Sequence, residues 1–249
     1  MNLIKYELKR LFKSKGFYIL LAVCIGLSII SVLTQNLIYK ASLETDNPIT
    51  IYSTASIKSS FSGSMVMMIA AIFTAIFVTD EYQTGTIKTV MSKGFSKNQI
   101  YLSKYLSSLL ATLLFYVSSI LVTALLANHF FDKTLVDSTM TSSFIVSLII
   151  VIAYHTIYFS ISIVTRKLGI SIALNIVGPS LVGLVLGMGD ALINSESFKF
   201  TSYWLDSLLS NVAKIEATSN SLTQGAILGV IYLAIACAIG VFLNKKKEL

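Results

Sequence analysis

GFYILLAVCIGLSIISVLTQNLIY, residues 16–39, holds no Asp, Glu, Lys or Arg and is bounded by Lys15 and Lys40. About 20 apolar residues in a helix cross the roughly 30 Å of hydrocarbon in a bilayer, so these 24 are enough. Five more charge-free stretches follow, at residues 59–79, 105–131, 138–165, 168–189 and 217–244. An ionised side chain at the bilayer centre costs about 2.5 to 3.5 kcal/mol even on a lenient insertion scale, and every charge in the chain falls outside the six runs. The pattern predicts an all-α membrane protein of six transmembrane helices, at about 17–38, 60–79, 105–127, 142–165, 168–189 and 221–243, in one membrane domain over 1–249.

Composition agrees with that reading. The 249 residues are 55% hydrophobic and 12% charged, where soluble domains carry about 25% charge, and mean hydropathy is +0.78. The formal charge of +7 would point a soluble protein toward nucleic acid, but here its placement matters more. Counting alternate connections puts 14 Lys and Arg on one face of the membrane and five on the other, together with eight of the twelve acids. Positive residues stay inside, so both ends of the chain are expected in the cytoplasm. The basic start imitates a signal peptide, yet no A-x-A-like site follows and five more spans do, so the first span is expected to be retained. Lysine outnumbers arginine 17 to 2, with abundant Ile and Asn, a bias of AT-rich bacteria. Cys24 and Cys237 lie inside apolar runs and offer no disulfide framework. With two distant His, no zinc ligand cluster is predicted.

Two basic-face segments carry more pattern than a solvated loop needs. Residues 2–15 place Leu3, Ile4, Leu8, Leu11 and Phe12 at helical spacing on one side and Lys5, Lys9 and Lys13 on another, predicting an interfacial helix that turns into the membrane at Gly16. The second connection reads Asp80-Glu-Tyr-Gln-Thr-Gly-Thr-Ile-Lys-Thr-Val-Met-Ser-Lys-Gly94. Thr84 and Gly85 can start a short helix, Ile87, Val90 and Met91 form an apolar stripe, and Gly94 can end it. Ser96 and Gln99 then have capping-box spacing into the third span. An apolar stripe on such a helix must bury itself against headgroups or in a groove on a partner.

The pattern Glu81, Gly85-Thr86, Lys88, Gly94, Ser96-Lys97 and Lys104 resembles the connection between the second and third spans of ABC type-2 exporter permeases. The opening Tyr6-Glu-Leu-Lys-Arg-Leu-Phe-Lys-Ser-Lys15 resembles that family's first helix. The chain departs at Lys97, where the family usually has Arg, and lacks the proline often found near Phe95. The resemblance implies a permease that forms the membrane pathway and pairs with a second permease, identical or related. Two separate cytoplasmic ABC ATPase subunits, which hold the ATP and Mg, would drive it. It also implies that Glu81, Gly85, Thr86, Ile87, Lys88, Val90, Met91, Gly94 and Lys97 form the coupling segment, within 80–104, with Glu81 contacting the basic N-terminal helix. The chain has no G-x-x-x-x-G-K-[ST] phosphate loop, so ATP turnover and bound cofactors are not expected of it. The implied cargo is an amphipathic peptide or hydrophobic small molecule, in antimicrobial or toxin-peptide export or self-immunity at a bacterial plasma membrane. No nucleic-acid partner is expected.

Other features are less specific. Gly178, Pro179, Gly183 and Gly187 make the fifth span rich in small residues, with G-x-x-x-G spacing suited to close helix approach. The segment at 190–216 interleaves Phe198, Phe200, Tyr203, Trp204, Leu205, Leu208, Leu209 and Val212 with polar residues, as an interfacial or re-entrant helix would. A competing enzyme class needs a Ser180–His155 dyad, for which chain order and the missing G-x-S-x-G elbow are unfavourable. An ion-coupled secondary transporter needs an ionisable group near the midplane, and none is predicted there.

Overall fold

A computed structural model describes residues 3–44, 50–131, 137–193, 199–215 and 217–246. Among these the regular structure is helical: α1 (Leu3–Lys13), α2 (Lys15–Ser42), α3 (Ser53–Ser60), α4 (Ser64–Gln83), α5 (Thr86–Ser92), α6 (Lys97–Phe130), α7 (Met140–Thr165), α8 (Leu168–Ile193), α9 (Leu205–Val212) and α10 (Ser219–Lys246). A 3-10 turn, Phe200–Tyr203, precedes α9. Six helical runs are long and apolar enough to span a bilayer, namely α2, α3 with α4, α6, α7, α8 and α10. The all-α, six-helix expectation holds.

Two helix breaks shape the first half of the bundle. The chain turns between α1 and α2 at Ser14, in extended backbone, and Gly16 is already helical, which corrects the predicted turn. The second span is broken between α3 and α4 at Gly63, whose φ is 54°. A Cβ there would stand 2.9 Å from the Tyr116 ring, so both backbone and space demand glycine. The Tyr116 hydroxyl fixes the break by donating to the Phe61 carbonyl at 2.8 Å, with Ser147 Oγ 2.9 Å away.

α7 is the central helix, packed by α4, α8, α9 and α10, while α6 gathers α1, α2, α3 and α4. Aromatic rings fill the joint between these groups: Phe17 stacks on Phe115 at 5.5 Å, and Phe73 meets Phe115 edge-on at 5.4 Å. The tightest helix approach is α7 to α10. A Cβ at Gly225 would meet Val146 at 3.0 Å, and one at Gly229 would meet Ile149 at 3.0 Å. This second G-x-x-x-G spacing is the one that brings two transmembrane helices together. Gly183 and Gly187 instead lie against Trp204 and Thr201, and nothing comes within 4 Å of a Cβ at Gly178. Pro179 is accommodated within α8.

His155 is fully buried, with Nδ1 3.0 Å from Thr112 Oγ1 and Nε2 3.2 Å from Ser108 Oγ. Both ring nitrogens are engaged by α6, and Ser180 is exposed on α8. The protease alternative therefore loses its dyad. His155 links helices.

The segment after α8 descends into the bundle. Phe200 lies beside Gly189 and Trp204 beside Gly183, so the 3-10 turn runs back along α8, and α9 returns with Val212 near Gly225 of α10. Leu205, Leu208, Leu209 and Val212 are buried against α7 and α10. The aromatic and apolar residues predicted for this segment thus pack back along α7, α8 and α10, although Phe198 falls outside the described residues.

Candidate functional site

At the basic end, where α1, α5 and the starts of α6 and α8 meet, α4 ends at Gln83 and two glycines frame the next helix. Gly85 has φ 70° and Gly94 φ 87°, so α5 is a single short helix set off by a left-handed turn at each end. The capping box then starts α6: Ser96 Oγ accepts from the Gln99 amide, and Gln99 Oε1 accepts from the Ser96 amide at 3.0 Å. Ile87 is buried with Leu3 of α1 and Ile100 of α6, and Tyr6, Tyr82, Val90, Met91 and Phe95 pack around them. The stripe on α5 is thus partly covered by the chain's own α1, the end of α4 and the start of α6, with Ile87 buried and Val90 and Met91 half-buried. Lys88, Thr89, Ser92, Lys93 and Gly94 remain outward. A groove of about 140 Å³ between α1 and α5 is lined by Leu3, Tyr6, Thr86, Thr89, Val90 and Phe95.

Beneath α5 lies a network of five charged side chains. Arg10 of α1 reaches Glu81 and Asp80 of α4 at 2.9 Å each and Glu7 at 3.3 Å. Lys104 of α6 pairs with Glu81 and, at 3.2 Å, with Glu7. Arg10 also donates to the Phe77 carbonyl at 3.1 Å and lies 4.7 Å from the centre of that ring. Glu7, Glu81 and Lys104 are buried, whereas Asp80 is exposed. The Glu81 contacts are ion pairs without hydrogen-bond alignment, so charge rather than directed bonding holds them. Three acids face two bases, which leaves the network one negative charge in excess. Burial lifts the Tyr6 phenol above its ordinary value of 10.0, helped by nearby Glu81 and Glu7 and opposed by Arg10. On the far side Arg166, in the left-handed region at φ 54°, stacks over Tyr82 at 5.0 Å and ties the α7–α8 turn to the same place.

The structure therefore brings Glu81, Ile87, Val90 and Met91 together with α1, and leaves Lys88 on the outer surface. Gly85 and Gly94 make the left-handed turns on either side, Thr86 opens α5, and Lys97 begins α6. On α1, Leu3 and Leu11 are buried and Leu8 half-buried, while Ile4 and Phe12 are exposed. The predicted apolar face is split between the bundle and the surroundings because Glu7, between Leu3 and Leu11, turns inward to meet Lys104. Glu7 and Arg10 were not singled out from sequence. An acid and a base three residues apart on an otherwise amphipathic helix was the available signal.

The opposite end has its own buried pair. Lys58 of α3 donates to Asp137 and, at 2.8 Å, to Thr139 before α7. Burial raises the Asp137 carboxyl, but hydrogen bonds from Lys58 and Thr139 and the lysine charge outweigh it and hold the group down to about 2. Nearby, a cavity of about 120 Å³ between α2, α3 and α6 is lined by Ser28, Ser31, Gln35, Ser59, Ser119 and Thr123 among others.

Six helices able to span a bilayer, with a short helix at one end tied to them by buried charge, are the architecture of a polytopic membrane protein. The family model described as ABC-2 family transporter protein matches residues 3–181, well over half the chain, and the protein belongs to that family. The match takes in α1, the ion network and α5. Among curated proteins none matches the chain.

Proposed function

We propose that this ABC transporter membrane component is the permease of an ATP-driven exporter in a bacterial plasma membrane, with its basic end in the cytoplasm. Two copies of a separate ABC ATPase dock at α5, a second permease subunit completes the pathway, and the cargo is an amphipathic peptide or hydrophobic small molecule, as in antimicrobial or toxin-peptide export or self-immunity. The observation that carries this reading is the Arg10–Glu81–Lys104–Glu7 network. It joins α1, α4 and α6 directly under the exposed helix, so a push on α5 is delivered to two spans rather than absorbed by a loop. The 14 to 5 split of basic residues supports the orientation, and the family supports the ATPase partner.

Substituting Val90 or Met91 would disturb the chain's own packing, so the exposed face of α5 is the better probe. Lys88→Glu with Lys93→Glu reverses two outward charges and should release a co-expressed ATPase in a pull-down. Glu81→Ala should retain the ATPase but lose export. Cysteine at Lys214 should react with an impermeant reagent on intact cells, and cysteine at Lys93 should not. If the double charge variant and Glu81→Ala both keep the ATPase and export normally, α5 is not the coupling helix.

A further inference from the structure

By sequence position Asp206 belongs to a loop, yet its carboxylate lies at the level of the middle of α7. The Tyr154 hydroxyl donates to Asp206 Oδ1. Tyr154 stands fourteen residues from Met140 and eleven from Thr165 along α7, which is about 21 Å from one end and about 16 Å from the other. Its side chain leans toward the Met140 end, which still leaves the hydroxyl well inside a hydrocarbon layer about 30 Å thick. A second helix also places the site inside that layer. The Trp204 ring lies 3.7 Å from where a Cβ would stand on Gly183, six residues inside Gly189 at the end of the charge-free run, or about 9 Å in.

The surroundings of that carboxylate are aromatic. Trp204 Nε1 donates to Asp206 Oδ2 at 3.1 Å, Trp204 meets Tyr232 of α10 edge-on at 5.8 Å, and the Tyr232 hydroxyl donates to the Tyr203 carbonyl at 3.2 Å. Among the described residues no Lys, Arg or His pairs with Asp206. Asp206 and Tyr203 are nevertheless exposed on the surface of the chain. An ionised carboxylate is too costly to leave facing hydrocarbon without a countercharge. Its open side must meet water, protein or a cation, and a carboxylate among indole and phenol rings is the chemistry that holds an ammonium group. The site lies below the level of phospholipid headgroups, so the cation must arrive on a molecule that enters the protein.

We propose that Asp206, Trp204, Tyr203 and Tyr232 form a site within the membrane for the primary ammonium group of an amphipathic substrate, such as a lysine-bearing hydrophobic peptide or an alkylamine. This deepens the export reading and rests on it.

Trp204 is the one tryptophan in the chain, so intrinsic emission reports from the site itself. The full chain in phosphatidylcholine liposomes is titrated with dodecylammonium and, as an uncharged control, with dodecanol. Dodecylammonium should give a saturable change at about tenfold lower concentration, the worth of a charge-assisted contact. Asp206→Asn should bring the two ligands level, and Asp206→Glu should restore the preference. Equal responses of the unmodified protein to both ligands overturn the site, and that comparison depends on no variant folding. Replacing part of the phosphatidylcholine by phosphatidylethanolamine should leave emission unchanged, and a shift would hand the site to lipid and overturn the substrate assignment. Failure of the export reading shows elsewhere, in the α5 and Glu81 assays, which do not involve Trp204.

Discussion

Glu81, in the last turn of α4, and Lys104, in the third turn of α6, form a buried ion pair across the two helices that α5 connects. The pair makes the connection a closed loop: α4, α5 and α6 cannot separate at this end without parting two desolvated charges. Glu7 and Arg10 bring α1 into the same lock.

Removing one member should cost more than removing two. Lys104→Met leaves Glu7 and Glu81 buried with only Arg10, a loss of roughly 3 to 5 kcal/mol by analogy with broken buried pairs. Adding Glu81→Gln to it should recover part of that loss, with a coupling of about 0.5 to 3 kcal/mol for groups in contact. Thermal unfolding of the purified protein and its two single variants and double variant measures the cycle. Additive losses would mean that the two residues act independently.

Glycine spacing gives a second contrast. Gly229 leaves no room against Ile149 and the backbone of α7, whereas a Cβ at Gly178 meets nothing within 4 Å. Gly229→Leu should lower membrane abundance and cost about 1 to 3 kcal/mol through overpacking, and Gly178→Leu should do neither. Immunoblots of membranes with melting curves check both, and equal tolerance would show that α7 and α10 do not approach as closely as described.

Apolar run length was enough to read the six spans, because charge is confined to the connections. The capping box at Ser96 and the limits of α5 were legible for a similarly local reason, since glycine, serine and glutamine at those offsets act within one turn. The features that escaped reading are long-range. Lys104 counts as one more surface cation until Glu7, 97 positions earlier, is placed beside it. Asp206 counts as an external acid until Tyr154 is found to hold it. Nor can spacing alone say which of two G-x-x-x-G pairs meets a helix, because Gly183–Gly187 and Gly225–Gly229 are locally alike.

Acid should weaken the end opposite α5. The Asp137 carboxyl is held at about 2 against an ordinary 3.8, so its pairing with Lys58 contributes fully above the ordinary value and is lost as pH falls through the folded one. Relative to Asp137→Asn, which has no carboxyl to titrate there, the unmodified protein should keep a higher melting temperature at pH 7, with the gap narrowing from about pH 4 to about pH 2. A gap that is constant with pH would show that the pair contributes nothing through its charge.

The depth of the turn between α8 and α9 can be measured directly, because Trp204 is the only indole. An amphipathic segment resting at the membrane surface would hold that ring at headgroup level, where tryptophan ordinarily collects. Contact with Gly183, six residues inside the end of the charge-free run at Gly189, instead places it about 9 Å in. The ring is half-buried, so quenchers in the surrounding lipid have partial access. In liposomes doped with spin-labelled phospholipids, a nitroxide deep in the acyl chain should quench Trp204 emission more than one at the headgroup. Asp206→Ala removes the acceptor of the indole N–H and should let the ring rise, reducing the deep-label advantage. Stronger quenching from the headgroup label in the unmodified protein would return the segment to the interface and take the Asp206 carboxylate out of the membrane with it.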